Sequence, residues 1–118
     1  MQTNSLVHNA VYAVDKPQVE LLLDTPFSKE IRICLSKGQE MKRHQTAFPI
    51  VVELFEWEAE FWAEEQIYHL HKGDILALEA GIPHDVRALE ESIIRLTLSK
   101  QDAVARVEQV AQQSAWWL

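Results

Sequence analysis

Lys72-Gly73-Asp74, then Ile75-Leu76-Ala77-Leu78, then Glu79-Ala80-Gly81-Ile82-Pro83, and then His84: this run sets a turn, a short apolar segment, a second turn and a histidine in immediate succession. Glycine serves turns because it reaches positive φ, and proline because its own φ is fixed. Four apolar residues between two turns are too few for a helix and read as a strand. The same grammar extends outward in both directions. Val19–Leu23, Ile31–Leu35, Ile50–Phe55, Ala59–Trp62 and Ile93–Leu98 are further short apolar bursts, separated by Asp24-Thr25-Pro26, Lys37-Gly38-Gln39 and Ala63-Glu64-Glu65-Gln66. Short strands with turn signals at this spacing predict an all-β sandwich or barrel.

The tail departs from that rhythm. Val104, Val107, Val110 and Ala111 recur at helical spacing, with Arg106, Glu108 and Gln109 on the other side, which predicts an amphipathic helix over about 101–113. Ser99 and Asp102 stand as a capping box with Asp in the Glu place. The apolar stripe must cover the barrel's open end or a partner subunit, and Trp116 and Trp117 belong to the same covered surface.

Gly38 is followed after five residues by His44, and Gly73 after five residues by Glu79-Ala80-Gly81, two residues and His84. From about Ile31 to Leu98 this arrangement resembles a small single-domain cupin, whose two motifs are Gly, five residues, His-x-His, three or four residues, Glu, six residues, Gly, and Gly, five residues, Pro-x-Gly, two residues, His, three residues, Asn. Gly38, His44, Gly73, Gly81 and His84 match. Thr46 stands in place of the second His, Ile50 of the Glu, Trp57 of the Gly, Glu79 of the Pro and Ala88 of the Asn. The resemblance implies one domain over 1–118, a double-stranded β-helix or jelly-roll barrel over about 19–99 closed by a short C-terminal α-helix. It also implies an inward-facing pocket at His44 and His84, and a homodimer.

Cupins hold a divalent metal (zinc, iron, nickel or manganese) with two or three His and a Glu, and here that implies His44 and His84 as ligands. The residues supply no third. Glu40 has the right phase but lies about 13 Å along an extended strand, Glu53 has the wrong phase, and Asp85 points away from its neighbour His84. Lys42 is two residues before His44, in phase with it, so Lys42, His44, Thr46 and His84 over Ile50 and Val52 read as a pocket polar on one side and apolar on the other. Such a lining suits a small ligand bearing a carboxylate, phosphate or sugar hydroxyls. On the last strand Arg95 and Thr97 read as inward, and a one-residue slip exchanges Arg95 for Leu96.

His69 and His71 share one face of a strand, and Leu70 between them belongs to the core, so both imidazoles are expected outside. His8 has no partner in sequence. Cys34, the sole cysteine, excludes a disulfide framework and reads as a buried thiol. Glu56, Glu58 and Glu60 alternate with Phe55, Trp57, Ala59 and Phe61, the pattern of a half-exposed hairpin. Glu53, flanked at i±2 by Val51 and Phe55, points away from the pocket on a mostly apolar outer face that predicts a subunit contact, with Trp57 and Trp62 on the same surface.

A net charge of −7 argues against nucleic acid or an anionic membrane surface as partner. There is no signal-like N-terminus and no apolar run of membrane-spanning length, so the cytoplasm is the expected compartment. Three functions remain open: a small-molecule binder around His44 and His84, a metal-dependent oxygenase or isomerase using them as ligands, and an interaction module with a vestigial pocket.

Overall fold

The computed structural model describes residues 1–115, so the expectation for Trp116 and Trp117 lies outside the described residues. The described chain forms β1 (Gln18–Asp24), β2 (Ser28–Leu35), β3 (Glu40–His44), β4 (Ile50–Glu56), β5 (Glu58–Ala63), β6 (Gln66–His71), β7 (Ile75–Leu78), β8 (His84–Ala88), β9 (Ser92–Ser99) and α1 (Val104–Gln113). The strands make two antiparallel sheets, five-stranded in the order β1-β2-β9-β4-β7 and four-stranded in the order β3-β8-β5-β6. This is the all-β barrel that the strand and turn pattern predicts, in the jelly-roll form with one C-terminal helix that the resemblance implies.

Alternation builds the core. Ile31, Ile33 and Leu35 of β2, Ile50, Val52 and Leu54 of β4, and Ile94, Leu96 and Leu98 of β9 point inward from the larger sheet. Ala59, Phe61 and Ala63 of β5, with Val86 and Ala88 of β8, meet them from the smaller one. Gly73 and Gly81 have φ of 92° and 83°, a region strained for any residue with a Cβ. Their amides tie the turns down, Gly73 donating to the Leu54 carbonyl and Gly81 to that of Thr46, both at 2.8 Å.

β9 pairs with β2 and β4 in a register that turns Leu96 inward and Arg95 and Thr97 outward, the reverse of the expected phase. Outside, they serve Glu30, whose Oε1 accepts from Arg95 Nε at 3.1 Å and from Thr97 Oγ1, while its Oε2 accepts from Ser28 Oγ at 2.7 Å. Glu53 also faces outward, 3.6 Å from Arg95. The neighbouring Val51 and Ile75 are exposed on this face. Trp57, expected at a subunit contact, is 60% exposed in the single chain.

The N-terminal segment is tied down by Arg32, on the outer side of β2. Its guanidinium is almost fully buried, ion-paired with Glu20, and donates to the carbonyls of Ser5, His8 and Asn9. Cys34, next but one along the strand, is a buried free thiol, and burial pushes its pKa up.

α1 begins at Val104, three residues later than the periodicity predicts, and the expected capping box is absent. Ala103 is the N-cap, without a side-chain cap bond. Ser99 still belongs to β9, and its buried Oγ has no hydrogen-bond partner among the described residues. Asp102 instead accepts from the Ala103 amide at 2.8 Å and clasps Arg106. Val107, Val110 and Ala111 lie buried against the barrel, so the stripe covers the barrel itself.

Candidate functional site

The site follows from an irregularity in β3. Met41 pairs with Val86 and His44 with His84, so β3 spends two residues, Lys42 and Arg43, where β8 spends only Asp85. Such a bulge lets Met41 and His44 both point inward and throws the residues between them out. Strict alternation, which places Lys42 in the pocket, therefore fails here. Lys42 is exposed, and its amide donates to Ser114 Oγ at 2.9 Å. Arg43 pairs outside with Asp85 at 3.3 Å. Thr46 is buried, but its hydroxyl donates to the Phe48 carbonyl at 2.5 Å and it does not line the cavity.

Of the four residues expected in the pocket, His44 and His84 are brought together, with ring centroids 4.3 Å apart. Phe61 stacks on His84 at 5.5 Å with an interplanar angle of 12° and fixes that ring's plane. His84 Nδ1 lies 2.9 Å from the Ile82 carbonyl, and His44 Nδ1 lies 2.6 Å from that of Lys42. A carbonyl only accepts, so each Nδ1 carries a proton and donates it. Burial lowers both pKa values, that of His84 to about 4 despite the Ile82 hydrogen bond, so both rings are neutral at pH 7. A neutral ring protonated at Nδ1 has a bare Nε2, and neither Nε2 has a partner among the described residues. The site thus holds two adjacent acceptors to which no described residue donates.

The rings line a cavity of about 40 Å³ whose walls are otherwise apolar, chiefly Met41, Ile50, Val52, Phe61 and Leu96. That volume takes a few waters at most and falls far short of the roughly 300 Å³ of a drug-sized pocket. α1 forms its lid: Val107 and Arg106 complete the lining. Helical periodicity placed Arg106 on the side away from the apolar stripe, yet its long side chain reaches the cavity. It is held there by Asp102, whose Oδ1 accepts from Nε at 2.9 Å and Oδ2 from Nη2 at 2.8 Å. Burial alone would raise the Asp102 carboxyl, but hydrogen bonds from Arg106 and Ala103 outweigh it and hold the pKa below the ordinary value. The i, i+4 spacing of Asp102 and Arg106 was the sequence signal for this missed residue. Its Nη1 has no partner among the described residues.

A metal at His44 and His84 does not fit these surroundings. Both imidazoles could ligate, each steadied by a carbonyl on its other nitrogen. Ile50, however, stands where the anionic ligand is needed, the Thr46 hydroxyl is committed to Phe48, and Asp85 faces out. The Arg106 guanidinium, which lines the same cavity, depresses both histidines more than Asp85 raises them, and it repels a cation as it does a proton. Among the described residues, the one group of three ligating side chains close enough to share an ion is Glu58, His69 and His71, outside the barrel.

No protein-family model and no curated protein matches the sequence. Solved structures match its backbone. An RmlC-like cupin from Desulfovibrio desulfuricans aligns over 85% of this chain and 97% of its own with a TM-score of 0.77 and 20% identity. A protein with a double-stranded β-helix domain from Klebsiella pneumoniae aligns over 84% and 89% with a TM-score of 0.72 and 20% identity. The conserved protein SPY1581 from Streptococcus pyogenes aligns over 86% and 90% with a TM-score of 0.72 and 24% identity. At these identities the likeness is one of fold.

Proposed function

The chain folds as a small cupin, and within that fold we propose that it binds a compact molecule bearing both a hydroxyl and an acidic group, such as a hydroxy acid or sugar acid, between His44, His84 and Arg106. The observation that carries this reading is the pair of bare Nε2 acceptors lining the same cavity as a guanidinium. A ligand hydroxyl donates to Nε2, and a carboxylate accepts from Arg106 in a charge-assisted bond. Arg106 thereby takes the role that sequence spacing assigned to Lys42. The apolar walls exclude water and raise the worth of each polar contact. Because the cavity, although not fully enclosed, takes only water-sized occupants, α1 must move for a larger ligand to be seated. The reading is of binding rather than proton abstraction, since an imidazole with a pKa near 4 is a weak base at neutral pH.

The test is calorimetric titration of chelator-washed protein with glycolate, lactate and glucuronate. At least one is expected to bind with a Kd of about 1 mM or tighter. Arg106→Gln and His84→Gln should each weaken it by roughly 10- to 100-fold, the worth of one charged or buried hydrogen bond. Failure of all three acids to bind, or binding indifferent to both substitutions, would favour a barrel sealed by its own side chains, a second reading to which the small cavity volume lends support.

A further inference from the structure

The hairpin of β5 and β6 carries a second histidine pair, unlike the first in every respect that matters to a cation. Glu58 pairs with His71 and Glu60 with His69 across the two strands, while Ala59 and Leu70 turn into the core. Glu58, His69 and His71 therefore share the outer face. The His69 and His71 rings stack with centroids 4.4 Å apart and planes at 24°. Glu58 reaches diagonally, its Oε2 2.9 Å from His69 Nε2. One ligating atom from each of the three side chains lies within 4.8 Å of the others. Asp74 accepts from the His71 amide at 2.8 Å, and the same carboxylate oxygen is 3.7 Å from His71 Nδ1, beyond hydrogen-bond distance but on the side from which a small shift would let it steady the ring.

We propose that Glu58, His69 and His71 form a divalent-metal site on the outside of the barrel, suited to zinc. Zinc bonds imidazole nitrogen at about 2.0–2.1 Å and carboxylate oxygen at about 2.0–2.2 Å in tetrahedral geometry, so donors on one ion stand roughly 3.4 Å apart. The widest pair of donors, within 4.8 Å, needs to close by up to roughly 1.4 Å. His69 and His71 have half or more of their side-chain surface exposed, so rotation about their side-chain bonds meets little resistance. A neutral His69 that ligates through Nε2 gives up its contact with Glu58 Oε2 and carries its proton at Nδ1. Two imidazoles and a carboxylate supply the anionic ligand that the interior pair lacks, and no guanidinium is paired with any of them. Three protein ligands leave at least one coordination position open toward solvent, for water or an external ligand.

Titrating untagged, chelator-washed protein with zinc chloride by calorimetry tests the site. One zinc per chain is expected. His69→Ala combined with His71→Ala should weaken binding by at least ~100-fold and Glu58→Gln by about 10-fold, whereas His44→Gln combined with His84→Gln should leave it unchanged. Glu58, His69 and His71 are exposed or half-exposed whereas His84 is buried, so circular dichroism melts matching the wild type are required of every variant. The proposal is overturned by an absence of binding up to about 1 mM zinc, by binding that survives the His69/His71 substitutions, or by binding lost with His44 and His84 instead. Undiminished affinity in Glu58→Gln overturns the three-ligand assignment.

Discussion

Acidifying the protein from pH 7 to pH 4 should cost it about 3 kcal/mol of folding stability through His84, with His44 adding to the loss. The His84 pKa falls from an ordinary 6.5 to about 4 in the fold, chiefly because burial penalises the imidazolium. The unfolded chain therefore takes up a proton at a pH where the folded one refuses it. The stability this group contributes is fully present above pH 6.5 and drains as pH falls toward 4. Asp102 is displaced in the carboxylate range, below its ordinary 3.8, so its contribution survives until the pH is lower still. The window between 6.5 and 4 therefore belongs to the buried histidines. Urea midpoints measured across it should fall steeply for the wild type and flatten in His84→Gln. A wild-type midpoint unchanged from pH 7 to pH 4.5 would mean that His84 is not buried as described.

Val107→Asp should open the barrel without unfolding it. Val107, Val110 and Ala111 hold α1 down through apolar burial on the order of 4 kcal/mol. An unpaired carboxylate at that position costs at least about as much, so the helix detaches in preference to burying the charge. No strand of either sheet depends on α1 for its ladder, and the barrel stays paired. Carbethoxylation at imidazole nitrogen reads the result. In the wild type, exposed His8, His69 and His71 should react while His84 stays protected; in the variant His84 should react as well, and proteolysis should appear within residues 100–103. Equal protection of His84 in both proteins would show that α1 is not the lid.

Much of the architecture was legible because turns and alternation are local. Gly73, Gly81 and Pro83 mark their turns without help from distant residues, and Ile31, Ile33 and Leu35 show their inward face by period alone. The site was legible only where alternation held. One extra residue in β3 reversed the direction of Lys42, and nothing in Met41-Lys42-Arg43-His44 announces a bulge that pairing with β8 creates. Register misled the reading of β9 in the same way, since Arg95 and Thr97 face outward to satisfy Glu30, sixty-odd positions earlier in the chain. Arg106 escaped because helical periodicity assigns faces by Cα direction, whereas a guanidinium on a long stem reaches round its helix. His69 and His71 were visible as a pair, but Glu58 joins them through a cross-strand register that no spacing along the chain encodes.

The interior and exterior histidine pairs divide two chemistries between two places on one barrel. Inside, neutral rings beside Arg106 favour a ligand that brings its own proton and negative charge. Outside, the same side chain beside Glu58 favours a cation. His→Gln at 44 and 84 and His→Ala at 69 and 71 should therefore separate acid binding from zinc binding completely.

The central claim is that His44 and His84 present bare Nε2 atoms to the barrel cavity, and long-range nitrogen–proton NMR of the imidazoles reads those atoms directly. At pH 7 both rings should show the neutral form protonated at Nδ1, with His84 holding it until the pH nears 4 and the Nε2 signals of both shifting when a binding acid is added. Protonation at Nε2 in either ring, or a His84 that titrates near its ordinary 6.5, would contradict the account.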